Sequence, residues 1–210
     1  MCSFFFLSIK RIVIFLGYSG SGKTFALTAV ARELTKRKAG RIGTFKHVHD
    51  PEFTIDTRGK DTWRHAASGA SLIVALAQRE LAMIRRGGEI ERTVGVDEIL
   101  DIFRREGIDF VLVEGLYRRF LQESSRRDRR MLAVLCARTR EEVDELLEMH
   151  KGSARVICIT GRGAGRSMLA GASYKGIPVL VLPRGASKMV DLITLPTRRA
   201  KQKTNIRVKT

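Results

Sequence analysis

One eight-residue stretch constrains this chain more than any other. Gly17-Tyr18-Ser19-Gly20-Ser21-Gly22-Lys23-Thr24 fits the pattern G-x-x-x-x-G-K-[S/T]. Such a pattern carries weight only between a strand and a helix, and both flanks are present. The β-branched and aromatic run from Ile12 to Leu16 reads as a strand buried on both faces. After the loop, Leu27, Val30, Ala31 and Leu34 recur at helical spacing over 23–38, and Ala39-Gly40 closes the helix. The spacing has a physical basis. Glycines let successive backbone N–H groups turn toward one anion, and the helix N-terminus adds partial positive charge. Gly17, Tyr18, Ser19, Gly20, Ser21 and Gly22 form the cradle, Lys23 reaches the outer phosphates, and Thr24 offers a hydroxyl to Mg²⁺.

The rest of the chain repeats the same alternation. Short apolar runs at 41–46, 70–77, 80–85, 110–113, 131–136, 156–159 and 179–182 read as strands. Helical patterns fall at 61–68, 95–106 and 186–195, and Thr139-Arg140-Glu141-Glu142 is a capping box that opens another helix to about 150. The run at 70–77 is apolar apart from Ser71 and reads as a buried strand. This pattern predicts an α/β protein with the three-layer P-loop NTPase fold, a mostly parallel sheet flanked by helices. No internal repeat or linker interrupts it, so residues 1–197 read as one nucleotide-binding domain. A basic tail follows over 198–210, with six basic and no acidic residues.

Two further segments belong to the phosphate chemistry. The apolar strand at 110–113 runs into Glu114-Gly115, so a carboxylate falls at the carboxyl edge of the sheet beside the loop, where Glu114 can join Thr24 as a Mg²⁺ ligand. The polar stretch 47–60, with Lys46 before it and Asp61 after it, occupies the region where P-loop GTPases sense the γ-phosphate. Asp56 and Asp61 are therefore candidates, with Lys23, for catalytic roles that include orienting water. His47-Val48-His49 also has metal-ligand chemistry, since alternate residues of a strand share a face. Trp63 reads as a packing residue.

Composition excludes several classes. No run of 18 apolar residues exists, which argues against a membrane-spanning helix. Cys2, Cys136 and Cys158 are too few and too scattered for a disulfide framework and fit a reducing cytoplasm. With 39 Lys+Arg against 22 Asp+Glu, the formal net charge is +17. That excess invites nucleic acid, yet much of it lies in Arg118–Arg130 and after residue 198, and the tail after 198 has no interleaved aromatics for base stacking. A surface for anionic ligands or an acidic partner explains it better. Gly161-Arg162-Gly163-Ala164-Gly165-Arg166-Ser167 reads as a flexible connection or a second anion nest.

Taken together, Gly17–Thr24, Lys46-His47-Val48-His49, Asp56, Gly59-Lys60-Asp61-Thr62, Arg64, Gly69-Ala70 and Val113-Glu114-Gly115 stand in an order that resembles the molybdopterin-guanine dinucleotide biosynthesis protein B family (MobB). The resemblance covers about residues 11–117. It implies GTP and Mg²⁺ as ligands, weak GTP hydrolysis, a homodimer, and an accessory role beside a MobA-like molybdopterin guanylyltransferase, with molybdopterin as a further possible ligand. Guanine enters through the resemblance alone, because Asn205 is the only asparagine and no N-K-x-D base-reading motif exists. A P-loop kinase of a small substrate and a metallochaperone GTPase using His47 and His49 remain as alternatives.

Overall fold

The computed structural model of the chain describes residues 9–116, 118–120, 130–152, 154–164 and 172–196. The expectations for Arg126 to Arg129, for Gly165 to Ser167 and for the tail after 197 lie outside the described residues. Five strands form one parallel sheet: β1 (Arg11–Leu16), β2 (Ile42–Lys46), β5 (Phe110–Glu114), β6 (Met131–Cys136) and β7 (Arg155–Thr160), in the order β2-β5-β1-β6-β7. Helix α1 (Lys23–Lys36) links β1 to β2. Residues between β2 and β5 supply α2 (Asp61–Ala67), the hairpin strands β3 (Leu72–Leu76) and β4 (Leu81–Arg85), α3 (Ile90–Thr93) and α4 (Val96–Arg105). Beyond β6 come α5 (Arg140–Met149), the short strands β8 (Ser173–Tyr174) and β9 (Ile177–Pro178), and α6 (Ala186–Thr194).

Strand alternation divides the core into two halves. Ile12, Ile14, Leu16, Val111, Val113 and Leu135 face α4 and α5, meeting Val96, Leu100, Val143 and Leu146. Val13, Phe15, Leu112 and Val134 face the other way, against Leu27, Val30 and Leu34 of α1 and Met189, Val190 and Ile193 of α6. A continuous apolar run such as that of β1 is therefore what burial on both faces requires. One half of the expected capping box forms, the Thr139 hydroxyl accepting a hydrogen bond from Glu142 N at 3.2 Å, while the Glu142 carboxylate accepts from Arg138 N at 2.7 Å, one residue before the cap. The expected strand at 179–182 is reduced to a parallel bridge from Val179 to Ile159, just after β9.

Residues 70–77 depart from expectation. They do not enter the parallel sheet; β3 pairs antiparallel with β4 in a separate hairpin. The register Leu72↔Arg85, Val74↔Met83, Leu76↔Leu81 sets these six side chains on one face. That face is exposed, Leu76 by 82% and Leu81 by 65%. Ile73, on the other face, is buried. An apolar run can be continuous without both faces being covered inside its own chain, and sequence periodicity does not distinguish the two cases.

The topology positions the site. From β1 the chain moves outward to β2, returns through β5, and then crosses to β6 on the other side of β1. The connections diverge at the carboxyl end of β1, which is where open α/β sheets form their ligand crevice. The loop at 17–22 emerges there.

Candidate phosphate-binding site

The loop is held by close backbone approaches. Gly17 has φ +154°, and a Cβ there would lie 2.2 Å from Cys136 O and 2.5 Å from Ser21 Oγ. Gly22 caps α1 in the left-handed region at φ +100° and supplies no side-chain cap, so the first N–H groups of α1 gain no side-chain acceptor from the cap position. Ser21 is fully buried, and its hydroxyl has no hydrogen-bond partner. Lys23 folds back over the loop and donates from Nζ to Gly17 O at 2.9 Å and Tyr18 O at 2.7 Å. The ammonium is thus held against two carbonyls at the start of the loop.

Glu114 ends β5 beside the loop, largely buried. Thr24 Oγ1 donates to its carboxylate, 2.8 Å from Oε1 and 2.9 Å from Oε2. Lys46, at the end of β2, donates from Nζ to the same Oε1 at 2.9 Å. The in-register pairing of Lys46 with Glu114 across β2 and β5 makes that contact inevitable. A hydroxyl and a carboxylate in mutual contact beside a phosphate loop suit Mg²⁺, which takes few protein oxygens and completes its shell with phosphate and water.

A cavity of about 750 Å³ opens over the loop and is lined by Ser19, Gly20, Gly22, Lys23, Thr24 and Glu114. Phe25, Thr160, Gly161, Arg162, Val181 and Leu182 complete the lining. The glycine stretch after β7 is therefore part of the site. Arg162 N donates to Ser21 O at 3.1 Å, and Gly163 N donates to Ala137 O at 3.0 Å. A Cβ on Gly161 would lie 2.5 Å from Ser21 O, and one on Gly163 would lie 2.3 Å from Arg138 O. Sequence reading did not assign Thr160, Gly161 and Arg162 to this cavity. The available signal was a strand ending in Thr-Gly-x-Gly, since glycines there permit close approach of another backbone.

Asp56 and Asp61 are placed elsewhere; neither lines this cavity or its neighbour. Asp56 is almost fully buried in a local cluster, accepting from Thr62 Oγ1 at 2.7 Å and pairing with Arg86 at 3.1 Å. Arg86 in turn covers the Trp63 ring at 4.7 Å, so Trp63 packs as expected. Asp61 is exposed and lies 3.6 Å from Arg64. His47 and His49 follow β2 and meet edge to face at 4.3 Å. Among the described residues, no group of three or more His, Cys, Asp or Glu side chains is arranged to hold a metal ion. Likewise, no helix among them is long and apolar enough to cross a membrane. Cys136 and Cys158 are buried free thiols; burial raises both, Cys158 to about 12.

Comparison with known proteins agrees with this geometry. The family model described as "Molybdopterin guanine dinucleotide synthesis protein B" matches residues 12–126. A Haemophilus influenzae protein named molybdopterin-guanine dinucleotide biosynthesis adapter protein is 36% identical over 99 residues, which is 47% of this chain and 53% of that relative. The chain thus spans about half the length of this curated relative. The crystal structure of Bacillus subtilis MobB aligns over 87% of this chain and 97% of its own, with a TM-score of 0.62 at 19% identity. A second structure, titled molybdopterin-guanine biosynthesis protein B, aligns over 87% of this chain and 95% of its own, with a TM-score of 0.55 at 22% identity. At such identities these structures establish the fold, and the family match extends from β1 past Glu114. A parallel sheet with a phosphate loop at its switch point, carried by a sequence that matches along more than half its length, places this chain in the molybdopterin guanine dinucleotide synthesis protein B family.

Proposed function

We propose that this chain is a GTP- and Mg²⁺-binding adapter in molybdopterin guanine dinucleotide biosynthesis, with weak intrinsic hydrolysis. The observation that carries the nucleotide is the loop itself: Lys23 held against the carbonyls of Gly17 and Tyr18, beside Thr24 and Glu114, under a cavity in the usual size range for small ligands. Lys23 and the amides of residues 17–24 hold the phosphates, and Gly161 and Arg162 line the same cavity. Thr24 and Glu114 would hold Mg²⁺, which when bound neutralises phosphate charge. The choice of guanine and the adapter role rest on the family and on the H. influenzae relative's name. Slow turnover is consistent with Asp56, engaged by Arg86 and Thr62, and with Asp61, exposed on α2.

The same reading includes a homodimer and a MobA-like guanylyltransferase as partners. The support for a second copy is the outward face of the β3–β4 hairpin, where Leu72, Val74, Leu76, Leu81 and Met83 are all more than half exposed. A contiguous apolar patch of this kind marks an interaction surface.

Titration calorimetry with a non-hydrolysable GTP analogue and Mg²⁺ tests the nucleotide. We expect one saturable site in the native chain and binding about 30-fold weaker or worse in Lys23→Ala, a loss of about 2 kcal/mol from one charge-assisted contact. Equal affinity in the two proteins overturns the assignment.

A further inference from the structure

Glu114 is held by two donors of different kinds. Thr24 Oγ1 reaches both carboxylate oxygens, at 2.8 and 2.9 Å, whereas Lys46 Nζ reaches Oε1 alone, at 2.9 Å. The Glu114 side chain is 10% exposed and that of Lys46 is 57% exposed. Among the described residues, Lys46 is the only cation paired with this carboxylate. Lys23, the other lysine of the site, turns its ammonium to the neutral carbonyls of Gly17 and Tyr18 instead. A carboxylate so far from water is costly without a counter-charge. The chain supplies that charge itself, through Lys46.

The contact has a fixed base and a free end. Lys46 and Glu114 are register partners across β2 and β5, and His47 N donates to Glu114 O at 2.9 Å, so the backbones are tied together. The ammonium is not tied in this way. It sits at the tip of a flexible stem, on a strand at the edge of the sheet. Lys46 also lines a second cavity, of about 580 Å³, that includes Glu114 and the exposed carboxylate of Glu91, while Thr24 lines only the first cavity. The Lys46 side chain can therefore leave Glu114 for open space with no movement of the sheet.

We propose that Lys46 is a displaceable counter-ion, which neutralises Glu114 until Mg²⁺ is bound and releases that carboxylate when the metal arrives. The inference rests on the reading of Glu114 as a Mg²⁺ ligand. Two cations that use one buried carboxylate repel each other at short range, and the divalent one is the stronger partner for oxygen. Coupling of this kind is reciprocal: what the metal loses to Lys46 in affinity, Lys46 loses to the metal. Lys46 thus sets the Mg²⁺ concentration at which the metal binds, and it keeps the pair of Thr24 and Glu114 assembled below that concentration.

The test uses Lys46→Met, which keeps an unbranched stem and removes the charge. Differential scanning calorimetry in EDTA reads the counter-ion. Tm should fall by about 2–4 °C in the variant, and adding Glu114→Gln should regain most of that loss, because no carboxylate then lacks a partner. The exchange is read by measuring the affinity for a non-hydrolysable GTP analogue over a series of free Mg²⁺ concentrations. The Mg²⁺ midpoint of Lys46→Met should lie about fivefold or more below that of the native chain. An unchanged or higher midpoint overturns the proposal and leaves the metal reading standing. A loss of Tm that Glu114→Gln does not relieve also overturns it, since Lys46 then stabilises the fold by packing alone. A native chain whose affinity for the analogue is independent of Mg²⁺, or which does not bind it, overturns the metal reading and the proposal together.

Discussion

Glu114 shows what a single residue can and cannot reveal from sequence. An acid at the end of an apolar strand is a local pattern, and its contact with Thr24 follows from the topology that such a strand adopts. Asp56 carries the same functional group, but its partner Arg86 lies thirty residues away and the two meet only through the fold of the intervening segment. Charge alone did not separate the ligand-facing carboxylate from the structural one. His150 adds a third case. Burial, and then the nearby charge of Arg118, holds its imidazole below the ordinary histidine value of 6.5. The folded state therefore favours neutral His150, and the unfolded chain binds the extra proton first. This contribution to stability is complete above about pH 6.5 and is lost as pH falls from there toward the lower folded value. Denaturant unfolding at pH 5 and pH 8 should show a smaller acid-side loss for His150→Asn than for the native chain. An equal loss in both would mean that His150 does not titrate across the transition.

At the scale of elements, legibility follows the range of the interactions. β1, α1, β5, β6 and α5 could be read because their hydrophobic period, their cap and their length are local properties. The turn after β7 could not, because its glycines answer to backbones far away in sequence. Gly161 clears Ser21 O and both backbone polar atoms of Ala137. Gly161→Ala should therefore cost about 2 kcal/mol and lower Tm by about 4–8 °C. It should also weaken nucleotide binding, since the displaced atoms belong to the phosphate loop. Gly88→Ala is the control: nothing lies within 4 Å of its added carbon. Differential scanning calorimetry separates the two, and equal melting temperatures would show that the loop yields to the extra carbon at no cost.

At the scale of the whole molecule, the β3–β4 hairpin is where the sequence and the single chain disagree. Residues 70–77 look like a buried strand, and in the monomer half of their side chains face outward. The proposed second copy, packed on that face, would reconcile the two, and the run of apolar residues would then reflect an assembly. Replacing Val74 and Leu76 with Lys puts like charges on that face. Sedimentation equilibrium should show a dimer for the native chain and a monomer for V74K/L76K. A native chain that stays monomeric at all concentrations excludes this face as the interface.

The flat apolar strip on the hairpin has a thermodynamic consequence as well. With the proposed dimer formed through this face, dilution becomes a destabilising condition. Each protomer would then gain from its neighbour by mass action, and the midpoint of thermal unfolding should climb with protein concentration. A two-stranded ribbon is also marginal by itself in water. On the same proposal the hairpin should be the first part of the chain to open when the protein is scarce, while the parallel sheet beneath the phosphate loop, with five strands paired to one another, keeps its order.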